Sequence, residues 1–245
     1  MFGRRETERG SRGRILVGGG GTVAPIHSTL SNVQVALQSN LGLSSGSWLD
    51  QSGNGRDFTE ATNPPSIVTS TLNGIAVLTF DGTNDRLANA AWSPGAPGSQ
   101  AIWYAMLVRQ VSWTNGDSLL ANATGTGNAQ RIIQNSVTPQ IAQRNTTIAN
   151  SNSAATIGSW FLIEVLFNNA TTDYVNIGAT KQTGTNAANT AATGRCLGAC
   201  GTTDFSNIEV AGFWATNGEP TAGERTAFRA AVTSLYGGTV TTCST

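Results

Sequence analysis

Trp48-Leu49-Asp50-Gln51-Ser52-Gly53-Asn54-Gly55-Arg56-Asp57-Phe58 and Leu72-Asn73-Gly74-Ile75-Ala76-Val77-Leu78-Thr79-Phe80-Asp81-Gly82-Thr83-Asn84-Asp85-Arg86-Leu87 decide the fold of this chain. In the first stretch an aromatic strand runs into Ser52-Gly53-Asn54-Gly55, a turn of residues that tolerate positive φ. In the second, Asn73-Gly74 suits a type I′ hairpin turn. The strand that follows sets Ile75, Val77 and Thr79 against Ala76, Leu78 and Phe80, so both of its faces are expected to be covered. It closes in a second acidic turn, Asp81 to Asp85.

Outward from this pair the pattern stays β. Val33, Val35 and Leu37 alternate with Gln34, Ala36 and Gln38, as in a strand with one buried face. Ala101 to Val111 reads as a core strand, and Asn115-Gly116-Asp117 turns it back into Ser118-Leu119-Leu120. Arg131–Gln134 and Gln140–Ala142 follow. Trp160 to Phe167 is the most apolar run, short, aromatic and β-branched, which favours a central strand over a helix. Asp173 to Ile177 pairs next, and Ile208 to Trp214 is expected to close the sheet. One helix stands out, Thr221 to Tyr236. Thr221 and Glu224 form a capping box, Phe228, Val232 and Leu235 share one face, and Gly237 ends it. The expected fold is all-β: a jelly-roll β-sandwich over residues 29–245 with one short C-terminal helix. Residues 1–28, rich in Arg and carrying Gly18-Gly19-Gly20-Gly21, read as a flexible, extended N-terminal arm.

The elements W-x-D-x-S-G-N-G (from Trp48), F-D-G-T-N-D-x-L (from Phe80) and the closing helix Ala222-Gly223-Glu224-Arg225 through Leu235-Tyr236-Gly237 resemble the concanavalin A-like lectin/glucanase family in its laminin-G-like form. The resemblance runs from about Val33 to Gly237. Such domains occur on secreted bacterial proteins and on bacteriophage particles. Enzymes of that superfamily carry paired acids on one strand, spaced E-x-D-x-E or close to it, which sets both acids on one strand face. Here Glu164 and Glu209 each sit alone in their strands.

Composition narrows the function. The chain has 245 residues, 14 basic and 14 acidic, and only 11% charged, against roughly 25% in ordinary soluble domains. Zero net charge gives no whole-chain field toward nucleic acid or a membrane. No segment approaches the ~18 apolar residues of a membrane span, and Ile15-Leu16-Val17 is too short for a secretory signal core. Ser-His-Asp catalysis would need His27, the one histidine, beside the arm. Gly18 to Gly21 lacks the Lys-Ser/Thr of a phosphate loop. Cys196, Cys200 and Cys243 make an odd set. Cys196 and Cys200 are spaced for a hairpin bridge, yet thiols are favoured in all three, with an intersubunit bridge through Cys243 as an alternative.

These readings converge on a non-enzymatic bacteriophage virion protein made in the host cytoplasm, most simply a capsid decoration domain (cement or head fibre). Arg4, Arg5, Arg9, Arg12 and Arg14 would dock its arm on a major capsid protein or other virion protein. Homo-oligomerisation is expected, and neither membrane nor nucleic acid is an expected partner. The alternative is a carbohydrate-binding tail-fibre or surface module recognising a host glycan. Trp92 and Trp113 beside loops are its candidate sugar platforms, while Trp48, Trp103, Trp160 and Trp214 are core. No cofactor is expected. Asp81, Asn84 and Asp85 are weak calcium candidates, since the same residues make ordinary turns.

Overall fold

The computed structural model describes residues 24–94, 101–124, 129–145, 147–168, 172–185, 194–199 and 201–244. Its strands form two antiparallel sheets. In one, β15 (Thr180–Thr185), β14 (Thr172–Ile177), β13 (Trp160–Phe167), β8 (Ile102–Gln110), β17 (Asn207–Asn217), β6 (Ala76–Asp81) and β5 (Ser66–Thr69) lie side by side, and β1 (Val33–Gln38) pairs with β17. The other runs β12 (Ile148–Asn152), β11 (Gln140–Arg144), β10 (Arg131–Asn135), β9 (Ser118–Ala121), β16 (Arg195–Leu197), β7 (Leu87–Asn89), β4 (Phe58–Thr59), β3 (Ser47–Trp48) and β2 (Leu43–Ser44). Helix α1 (Ala222–Tyr236) closes the chain. This is the expected all-β sandwich with its single C-terminal helix.

The first sheet is covered on both faces, which explains its unbroken apolar strands. Toward the second sheet it presents Leu78, Phe80, Tyr104, Met106, Val108, Ile163, Val165 and Phe213. Its other face holds Val77, Trp103, Leu107, Leu162 and Trp214 against Phe228, Val232 and Tyr236 of α1. Alternate residues of one strand therefore enter different cores, so a one-residue slip in register would exchange the two sets. Trp48, Trp103, Trp160 and Trp214 are all buried, as their strand positions require.

Helix α1 starts as its sequence dictates. The Thr221 hydroxyl accepts from the Glu224 N–H, and the Glu224 carboxylate accepts from the Thr221 N–H. The helix is also bolted to the sheet, because Arg229 donates to both carboxylate oxygens of Glu164, at 2.6 and 2.7 Å. Glu209 is held likewise by Arg109, its cross-strand partner, at 2.6 and 2.8 Å.

Four expectations change. Ile208 to Trp214 does not close a sheet: β17 lies inside it, with β8 on one side and β6 and β1 on the other, because the run is apolar on both faces. Strands β2, β4, β5, β7, β12, β15 and β16 were not legible, being short or largely polar. The chain enters the fold before residue 29: Ile26, in a 3₁₀ turn, is 1% exposed, and its N–H donates to Gln38 Oε1. Cys243 is buried, its thiol donating to Leu162 O and Asn176 O, and burial pushes it well above its ordinary pKa. A thiol held there is not available for an intersubunit bridge. Arg4, Arg5, Arg9, Arg12, Arg14 and Cys200 lie outside the described residues.

Candidate functional site

The loop between β3 and β4 is organised by its own acids. Asp50 Oδ1 accepts from the N–H groups of Ala36 and Ser52, each at 2.9 Å, and Oδ2 from Ser52 Oγ at 2.7 Å and the Arg56 N–H at 3.0 Å. Asp57 Oδ1 takes the Asp50 N–H at 2.8 Å. Asn54 Nδ2 then reaches across to the carbonyls of Val33 and Gln34 on β1, and Arg56 Nη1 donates to Gln34 O and Oε1 at 2.9 and 2.6 Å. A carboxylate filled by backbone donors costs little to desolvate and fixes the loop around it. Gly55, at φ +65°, makes the bend that brings Asn54 and Arg56 to the same side.

This docked loop faces the chain leaving β7. Asn89 Oδ1 accepts from the N–H groups of Ala91 and Trp92, and its Nδ2 donates to Asp57 O at 2.9 Å, tying the two segments together. Between them opens a cavity of about 300 Å³ lined by Asn54, Gly55, Arg56, Asn89, Ala91 and Trp92. That volume is at the low end for ligand sites, roughly 300–1,000 Å³, and suits a single small ring.

The floor is aromatic. Trp92 packs edge-on to Phe58 and Phe213, each 6.3 Å away, and Tyr104 stacks on Phe213 at 5.8 Å. The Arg56 guanidinium lies over the Trp92 ring, 5.6 Å from its centroid. Trp92 is thus 6% exposed and is not an open stacking platform, which corrects that expectation: Arg56 occupies one face and the core takes the rest. Trp113 does not line this cavity. It is half-buried against the inter-sheet core, with Nε1 donating to Ser136 O at 2.9 Å. Among the described residues, Arg56 Nε and Nη2, Trp92 Nε1 and Asn54 Oδ1 make no hydrogen bond.

The calcium candidates behave as turn residues. Asp81 Oδ1 accepts from the N–H groups of Thr83 and Asn84, and Asp85 Oδ2 from that of Asp81. Burial pushes the Asp81 carboxyl up, but these backbone donors outweigh it and leave it below the ordinary value. Asp85 is raised, by burial and by the charge of Asp81. No cluster of three His, Cys, Asp or Glu able to hold a metal occurs among the described residues. Arg56 was missed in the sequence because its stretch reads as a turn after an aromatic strand. Its position between Asp50 and Asp57, acids that serve the backbone, was the available signal.

No protein-family model matches the chain, and no curated protein matches it by sequence. Solved structures do. A GH54 α-L-arabinofuranosidase soaked with 4-nitrophenyl α-L-arabinofuranoside superposes with a TM-score of 0.59 at 17% identity, over 78% of this chain and 51% of that one. Trypanosoma rangeli sialidase in complex with sialic acid gives 0.61 at 12%, over 84% and 34%. The binding domain of Paraclostridial Mosquitocidal Protein 1 gives 0.58 at 12%, over 81% and 52%. The likeness is one of fold. This chain spans between a third and a half of the length of these proteins.

Two expectations fall here. The virion reading, whether capsid decoration or tail fibre, loses its ground, because the structures it superposes on include an arabinofuranosidase, a sialidase and the binding domain of a mosquitocidal protein. The expectation that the chain is not an enzyme is overturned with it, since enzymes carry this sandwich. The physical reason is that function lives in loops grafted on the fold, and acids from separate loops can meet without any strand motif.

Proposed function

We propose that this domain binds carbohydrate in the cavity between Asn54, Arg56 and Trp92. The cavity itself carries the reading: it has the size of one sugar residue, and planar polar groups line it, with the Arg56 guanidinium held over Trp92. Sugars offer hydroxyls in pairs, which an amide or guanidinium edge can meet two at a time. The acids of the loop, Asp50 and Asp57, support this use of the site, because their oxygens hold the backbone in place. The ligands of the fold's neighbours agree in class, an arabinofuranosyl-xylobiose in one arabinofuranosidase and sialic acid in the sialidase.

Calorimetric titration with arabinose, xylobiose, galactose, glucuronic acid and N-acetylneuraminic acid tests the proposal. At least one is expected to bind, and Ala91→Trp, which fills the cavity from its exposed rim, is expected to abolish binding while the protein still unfolds cooperatively. Silence across the panel, or binding unchanged by Ala91→Trp, would sink it. The same samples incubated with 4-nitrophenyl α-L-arabinofuranoside report whether bound sugar is also cleaved.

A further inference from the structure

The structure assigns a ligand class to this cavity: we infer that it takes a sugar bearing a carboxylate, gripped by the open edge of Arg56. The inference rests on the carbohydrate reading above.

The chemistry of the rim is lopsided. Arg56 Nη1 is spent inward on Gln34 O and Oε1, which holds the guanidinium plane against Trp92 and leaves Nε and Nη2 without a partner among the described residues. Those two nitrogens form the edge that matches the two oxygens of a carboxylate. Among the described residues the Trp92 Nε1 donor makes no hydrogen bond either, and Asn54 Oδ1 is the side-chain acceptor at the rim without one. Asn89 has both ends of its amide in use. Side chains that bring a cationic guanidinium edge and more spare donors than acceptors favour a ligand rich in acceptors over a neutral polyol, which brings as many donors as acceptors.

Charge points the same way. Arg86, Arg109, Arg131, Arg225 and Arg229 each pair with a carboxylate. Among the described residues Arg56 forms no such pair, although Asp50 and Asp57 flank it in sequence. Asp50 accepts four donors of the loop, Asp57 Oδ1 accepts the Asp50 N–H, and neither lines the cavity. The indole beneath Arg56 further favours keeping the cation in place. A bound carboxylate would supply the counter-charge that the loop withholds.

Wild-type protein carries the decisive test. Galacturonic acid, its methyl ester and galactose are titrated side by side, with N-acetylneuraminic acid beside N-acetylmannosamine to distinguish a uronic from a sialic source. The free acid of one pair is expected to bind at least about tenfold more tightly than its neutral counterparts, the scale of a charge-assisted bidentate contact. Arg56→Gln is expected to erase that preference, with residual binding equal to the ester's, and Arg56→Lys to restore it only in part. Equal binding of acid, ester and neutral sugar overturns the carboxylate inference and leaves the sugar reading standing. Binding of none of them overturns the carboxylate inference, and only silence across the full sugar panel removes the carbohydrate reading as well. A preference for acid that survives Arg56→Gln in a folded variant places the anion elsewhere and also overturns the inference.

Discussion

The turn at Asp50–Asp57 and the turn at Asp81–Asp85 start from the same local chemistry. In each, an aspartate at the end of a strand accepts backbone N–H groups two residues on, from Ser52 in one and Thr83 in the other. They differ in what they reach. Asp50 also takes the N–H of Ala36, and Asn54 and Arg56 bind carbonyls of β1, so that turn is docked across a distance of 14 to 22 residues in sequence. The bonds of Asp81 and Asp85 stay within their own turn. One turn becomes the wall of a cavity while the other remains a turn. Local capping decides where the chain bends; long-range docking decides whether the bend encloses anything.

Removing the docking acid should break the comparison most. Asp50→Ala orphans four donors and frees the loop from β1, and is expected to cost about 4 kcal/mol in denaturant unfolding and to abolish ligand binding. Glycine substitutions should reverse the order of the two turns. Gly82 sits at φ +76°, and a Cβ there would come within 2.9 Å of the Asn207 Cβ, so Gly82→Ala is expected to cost about 2–3 kcal/mol. Gly55, at φ +65° with open space around it, should cost about 1 kcal/mol as alanine, the backbone strain alone.

A third capping carboxylate sharpens the point. Glu224 caps α1 and also accepts the Ser31 N–H at 2.8 Å, and hydrogen bonds from Ser31 and Thr221 pull its carboxyl down to about 2. A depressed acid stabilises the fold above its unfolded value, here 4.5, and loses that contribution as pH falls toward about 2. Glu224→Gln is therefore expected to cost about 1 kcal/mol near neutrality and nothing below pH ~2, measured by urea unfolding across pH. The smallest effect concerns Asp81–Asp85. With Asp81 Oδ1 and Asp85 Oδ2 already bonded within the turn, millimolar calcium against chelator is expected to leave the melting temperature unchanged, and a rise of several degrees would restore a metal site there.

Much of this was legible in particular residues. Trp160 to Phe167, the alternation at Val33 to Gln38 and the Thr221/Glu224 box announce their elements because period and capping are local properties. Strands such as Arg195–Leu197 and Thr180–Thr185 were not legible. The first is three residues long and the second mostly exposed and polar, so each is a strand only because a neighbour pairs with it. Trp92 was legible as a residue of interest but not in its role, since a tryptophan next to a loop reads the same whether its face meets solvent or Arg56.

By itself the sequence determined the sandwich, the turns and the closing helix, because hydrophobic period, turn residues and capping act within a few positions of the chain. The tertiary structure decided the site. Asn54 and Arg56 meet Asn89 and Trp92 only after two strands far apart in sequence settle side by side, and only that meeting sets the Arg56 guanidinium over the Trp92 ring at the same small cavity.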